Sequence, residues 1–199
     1  MAFLVRGLLA AAILGAATLS ADAAGNLVKD ASFEKPTVED GGFLLLSAGA
    51  AFNGWSVVGS GNIAIFSGDY AQDGFSFPAK KGAQWLDLTG NMNQPSGVQR
   101  TIRTEPGTTY DLALYVGNIV DTMGGLGTKS TVDVLVDGAP LASFVNKSGQ
   151  GDNALSWRKY TAQFTAQHGK TLIAFMNGDP PTDASNGIDG VSVTPATAP

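Results

Sequence analysis

Residues 131–145 read Thr-Val-Asp-Val-Leu-Val-Asp-Gly-Ala-Pro-Leu-Ala-Ser-Phe-Val. Val132, Val134 and Val136 share one face of an extended chain, opposite Thr131, Asp133 and Leu135. Asp137-Gly138 follows, and Asp-Gly adopts positive φ readily, so a tight hairpin turn is expected there. A period of two that ends in such a turn is the pattern of antiparallel strands.

Working outward from this hairpin, the same grammar recurs. Short β-rich runs closed by Gly, Pro, Asn or Asp occupy 26–34, 54–58, 62–66, 83–88, 97–104, 108–116, 131–136, 141–145, 158–165, 170–176 and 188–193. Within 109–117, Tyr110, Leu112, Leu114 and Val116 oppose Asp111, Ala113 and Tyr115. Pro106-Gly107 suits the centre of a type II turn. No stretch after the first residues holds a helical apolar period over three turns. These runs predict an all-β fold, a two-sheet antiparallel sandwich over 24–194, with a short tail at 195–199.

The N-terminus follows different rules. Arg6 precedes an uncharged apolar run, 7–19, and Ala21-Asp22-Ala23 offers a small-residue cleavage site. This order predicts a cleaved Sec-type signal peptide at 1–23. The apolar run is shorter than the roughly 20 residues that cross a bilayer. The expectation is a secreted or periplasmic protein with no membrane association after cleavage. There is no Cys, so no disulfide can harden the fold. A formal net charge of −5 without a Lys/Arg cluster disfavours nucleic acid and anionic membranes as partners.

Several landmarks recur in a fixed order. They are Asn26-Leu27 through Ser32-Phe33-Glu34, Gly54-Trp55, Gln84-Trp85-Leu86-Asp87-Leu88, Gly97-Val98-Gln99, Pro106-Gly107, Trp157 and Ile188-Asp189-Gly190-Val191. Their order and spacing resemble galactose-binding-domain-like jelly rolls, above all the bacterial choice-of-anchor C proteins and the plant cell-wall BIIDXI-like family. The resemblance implies an exported jelly roll associated with polysaccharide. It also implies one structural Ca²⁺, held by Glu34 and Asp189 where the first and last strands meet; hard cations take such oxygen ligands, and Asp30 with nearby backbone carbonyls would complete the shell. The alternative is that these carboxylates accept hydrogen bonds from backbone amides. The plant members carry cysteines and many bacterial members a C-terminal sorting segment. Neither feature occurs here, so wall anchoring is not expected.

Catalysis leaves little trace in the sequence. His168 is the single histidine and sits in a turn pattern, and no Gly-x-Ser-x-Gly elbow exists. The sequence therefore predicts no enzyme and no catalytic residue. Trp55, Trp85 and Trp157 are read mainly as core, because large aromatics bury most in a sandwich. Tyr70, Trp85, Asp87, Tyr115 and Asn118 are the candidate ligand-binding residues, on loops or on the more polar strand faces. Asn146-Lys147-Ser148 matches the N-glycosylation pattern, which matters only in a glycosylating host. The expected function is a non-catalytic polysaccharide- or glycan-binding module of the envelope or extracellular space. The alternative is a structural or adhesion protein that binds protein partners or itself.

Overall fold

The computed structural model describes residues 25–197, except 92, 122–124, 150, 152 and 182–184. The expected signal peptide at 1–23 lies outside the described residues, as do parts of the 179–187 loop and of the tail. Among the described residues no helix is long and apolar enough to cross a membrane.

The chain forms β1 (Phe43–Ser47), β2 (Ala51–Phe52), β3 (Trp55–Gly59), β4 (Asn62–Ser67), β5 (Ala71–Gln72), β6 (Phe75–Ser76), β7 (Gln84–Asp87), β8 (Ser96–Arg103), β9 (Thr109–Asn118), β10 (Ser130–Val136), β11 (Ala139–Asn146), β12 (Ser156–Thr165), β13 (Lys170–Asn177) and β14 (Gly187–Pro195). The first sheet has the order β1-β4-β7-β14-β9-β12 and the second β11-β10-β13-β8-β3-β2. Except at the β10–β11 hairpin, the chain passes back and forth between the sheets from β7 onward, which makes an all-β jelly-roll sandwich. Leu86, Leu112, Leu114, Val116 and Ile188 of the first sheet meet Trp55, Val98, Val132, Val134, Ile173 and Phe175 of the second in one core.

The opening hairpin forms as its chemistry dictates. Asp137 and Gly138 have φ of 50° and 81°, and Val136 pairs with Ala139. The register then slips at Val134/Leu135, opposite Pro140-Leu141. Proline lacks the N–H that a regular ladder needs at that point. Gly107 has φ of 81° and the Thr108 amide donates to the Glu105 carbonyl, closing the Pro-Gly turn.

Two expectations need correction. Residues 26–34 form no strand. Leu27 donates to the Val193 carbonyl beside β14, but Asp30 and Phe33 have φ of 51° and 56°, and the chain turns there. Phe33, fully buried 5.2 Å from the Trp55 ring, takes the segment into the core instead. Conversely, β1 pairs with β4 at the sheet edge although Phe43-Leu44-Leu45-Leu46 shows no alternation. A continuous apolar run does not reveal a half-exposed edge strand.

Gly97 illustrates how tightly the second sheet is packed. A Cβ there would stand 2.2 Å from the Phe175 carbonyl oxygen and 2.6 Å from Met176 Sδ. Gly97→Ala is expected to destabilise the domain by about 3 kcal/mol, the upper range for overpacking, a fall in Tm of roughly 6–12 °C. Thermal unfolding by circular dichroism checks this; an unchanged Tm would show that the strand yields freely.

Candidate active site

Alternation along β7 places Leu86 in the core and Trp85 and Asp87 on the outer face of the first sheet. Phe66 pairs with Trp85, and Phe43 with Phe66, so these three share that face. Ile188 pairs with Leu86, which leaves the next residue of β14, Asp189, on the outer face together with its partner Tyr115. On β9 and β14, Gly117 and Gly187 pair with each other on this face, and Trp157 pairs with Gly117. Both glycines are needed: a Cβ at Gly187 would lie 3.0 Å from both Trp85 and Trp157. The two glycines make a floor on which Trp157 lies, edge-on to Trp85 at 5.9 Å.

The loop between β4 and β7, residues 68–83, folds back over this floor. It brings Tyr70, Phe75 and Phe77 into a second apolar cluster with Trp85, Ile119 and Leu155. Trp85 stacks on Phe66 at 4.9 Å and 12°, and Phe77 lies nearly parallel to it at 6.4 Å. Tyr70 packs edge-on to Phe66 at 4.7 Å and its hydroxyl donates to Gln72. Sheet side chains hold the loop by its backbone. Trp85 Nε1 donates to the Phe77 carbonyl at 2.9 Å and Trp157 Nε1 to the Pro78 carbonyl at 2.8 Å. Asp189 Oδ2 accepts from the amides of Lys80 and Lys81 at 2.8 and 2.7 Å, and Oδ1 from Gly190 at 2.6 Å. The Lys80 ammonium rests over the Tyr115 ring, 5.2 Å from its centroid.

The two outer-face carboxyls are electrostatically unusual. Asp189 is fully buried, and burial pushes its pKa up to about 7. The Lys81, Gly190 and Lys80 amides and the Ser32 hydroxyl pull the other way without cancelling it. Asp87 is pushed up to about 6, again by burial, against hydrogen bonds led by the Thr89 amide and hydroxyl at 3.0 and 2.7 Å. Buried acids that change charge near neutrality are candidates for proton transfer. Asp189 is the better placed, between Tyr115 and the aromatic cluster and beneath a segment of loop. Asp87 is enclosed by Thr89 and the turn that precedes β14.

The predicted ligand residues therefore separate. Trp85, Tyr70 and Tyr115 come together on one face. Asp87, read from alternation as lying on a less buried face, is buried like Trp85, because β7 is covered on both sides. Asn118 is also buried and structural: its Nδ2 donates to Ser130 Oγ, and its Oδ1 accepts from the Gly149 amide. Asp189, Phe66 and Trp157 join the site, though none was read as ligand-facing. The sequence pattern points Asp189 to a metal, and the fold of loop 68–83 over the sheet has no local sequence signal.

The Ca²⁺ donor set does not fit. Glu34 and Asp189 do converge, but on residues 80–84, where four amides point at their oxygens, with that of Gly190 as a fifth on Asp189; Glu34 accepts from Ala83 and Gln84 at 3.1 Å. Those N–H dipoles stand where a cation would have to sit. Asp30 Oδ1 accepts from the Glu34 amide at 2.8 Å. Among the described residues no cluster of three or more acidic, His or Cys side chains is arranged to hold a metal.

Fold and site together define a jelly roll that carries a closed aromatic face with a buried acid beneath a loop. The chain belongs to the HpiC1-like family, described as HpiC1 cyclase, which matches residues 25–178. That match overturns two expectations, the absence of an enzyme and the non-catalytic polysaccharide-binding module. It also names a family other than the choice-of-anchor C and BIIDXI-like proteins. The match ends before β14, so Asp189 enters the site on geometry alone. Two solved cyclase structures agree on the fold. The Stig cyclase Fisc from Fischerella sp. TAU, in complex with (3Z)-3-(1-methyl-2-pyrrolidinylidene)-3H-indole, is 18% identical, covering 86% of this chain and 98% of its own, with a TM-score of 0.58. A second cyclase structure from Fischerella sp. TAU is 18% identical, covering 86% and 97%, with a TM-score of 0.57. A family 35 carbohydrate binding module from Clostridium thermocellum is 12% identical over 78% and 99%, with a TM-score of 0.48. No curated protein matches the chain.

The raised carboxyl of Asp87 fixes a sign for pH dependence. Its folded pKa of about 6 exceeds the unfolded 3.8, so the folded state binds the proton more tightly. The stability this group confers is present below about pH 4 and is lost as pH rises through about 6. Asp87→Asn removes the titration. Its stability relative to wild type is expected to improve by about 3 kcal/mol between those pH limits, read from urea midpoints. A difference independent of pH would show that Asp87 is charged in the folded state.

Proposed function

We propose that this protein is a ring-forming enzyme for an apolar, aromatic small molecule, with Asp189 as its proton donor. The observation that carries the reading is a fully buried carboxyl with a pKa near neutrality on an aromatic face, in a chain of a cyclase family. A carboxyl that is part protonated at neutral pH can give a proton to an unsaturated substrate and take one back after ring closure. Such a reaction is an isomerisation and needs no co-reactant. Tyr115, which Lys80 covers, and Trp157 offer aromatic surface beside Asp189, with Trp85 packed between Phe66 and Phe77, and aromatic rings stabilise positive charge that develops over them. The indole compound in the Fischerella cyclase is the kind of ligand such a face would receive. In this reading the Lys80-Lys81 segment lifts, and the substrate takes its place over Asp189. Export by the leader at 1–23 remains part of the proposal.

The test uses the purified protein. The indole compound named above serves as a binding probe, read by quenching of tryptophan fluorescence. Alkene-bearing indoles serve as trial substrates, read as new isomers of unchanged mass. Asp189→Asn is expected to lower turnover by roughly 10²–10⁴, the contribution of a positioned general acid, while the probe still binds. Turnover should also fall as pH rises through about 7, where the acid loses its proton. Full turnover in Asp189→Asn would remove Asp189 from the mechanism.

A further inference from the structure

We infer that the outer face of the second sheet holds a separate binding site for an amphiphilic organic cation, an ammonium on an apolar or aromatic body, with Asp133 as its counter-charge. On β10, Val132 and Val134 enter the core, so Asp133 and Leu135 face outward. Asp133 pairs with Met176 of β13 and with Ser143 of β11, which places both on the same face. The register slip opposite Pro140-Leu141 bends the hairpin at this point, as bulges do. The result is a groove of about 500 Å³ lined by Asp133, Leu135, Pro140, Leu141, Ser143 and Met176. That volume lies within the usual range of small-molecule sites.

The carboxylate decides the ligand class. Glu34, Asp87 and Asp189 each accept backbone amides. Asp133 is half-buried and among the described residues has neither a hydrogen bond nor an ion pair. The backbone makes room for it: a Cβ on Gly178 would stand 2.8 Å from Asp133 Oδ2. A part-buried carboxylate without a partner is unfavourable, and a cation in the groove would relieve it. One carboxylate among apolar walls cannot supply the six or more oxygens a hard metal ion wants. It repels anions, and of the groove's other side chains just Ser143 can hydrogen-bond a sugar. An ammonium joined to an apolar body satisfies both the charge and the walls. The groove lies on the opposite side of the sandwich from Asp189, because the two sheets turn their outer faces away from each other.

The probes are tryptamine, an indole with an ammonium, and tryptophol, the same indole with a neutral hydroxyl. Titration calorimetry measures both on the full chain. The wild type is expected to bind tryptamine about fivefold more tightly, the scale of one partly exposed ion pair. Asp133→Asn keeps the shape of the side chain and should abolish that preference with no loss of Tm. Asp189→Asn should leave the preference intact, which separates this groove from the aromatic site. The proposal is overturned if tryptamine does not bind, if the preference survives in Asp133→Asn, or if Asp189→Asn removes it.

Discussion

The Asp189 carboxyl ties the last strand of the sandwich to the end of the loop that covers its outer face. It projects from the last strand, at the point where the β9–β14 register breaks between Asp189 and Ser192. Its oxygens take the amides of Lys80 and Lys81, and Glu34 takes those of Ala83 and Gln84. The end of loop 68–83 is thus clasped by two acids from opposite ends of the chain. The clasp adds to the two indole hydrogen bonds of Trp85 and Trp157 and to the backbone bonds that tie Ser76 to Asn153 and Leu155. Carboxylate–amide hydrogen bonds suit this task, because they are strong and need no second charged side chain.

The same clasp explains why the acid is poised. Burial disfavours its charge, while three amides and a hydroxyl favour it. The balance falls near neutrality, so neither form is strongly preferred. A carboxyl meant only for stability would sit at the surface or opposite a cation, as most do. Here the domain accepts a less stable charged state inside its second layer. Strained or destabilised groups of this kind gather where chemistry is done. The glycine pair Gly117 and Gly187 belongs to the same design, since a side chain on either would push Trp157 off the sheet.

Sequence and structure agree best where the physics is local. The strands near 131–136, 141–145, 158–165 and 170–176 were legible because alternation and turn residues act over a few positions. Residues 26–34 misled because their apolar pattern is strand-like, yet Asp30 and Phe33 take positive φ to bury Phe33. The two faces of β7 misled for another reason. Alternation tells which side chains share a face, but not whether a distant loop covers it. Trp85 and Asp87 look half-exposed until residues 68–83 and the turn before β14 are in place. Asn118, polar and next to a loop, likewise turned out to be a buried link to Ser130 and Gly149.

The sequence by itself determined the fold class, the hairpins and the faces on which Trp85 and Tyr115 would lie. Period-two alternation and Asp-Gly or Pro-Gly turns suffice for that. Tertiary structure alone decided that Glu34 and Asp189 would both accept backbone amides of the segment 80–84. It also decided that a buried acid would sit beside an aromatic cluster. Both outcomes depend on desolvation and on where a sequence-distant segment packs, and no local pattern encodes either.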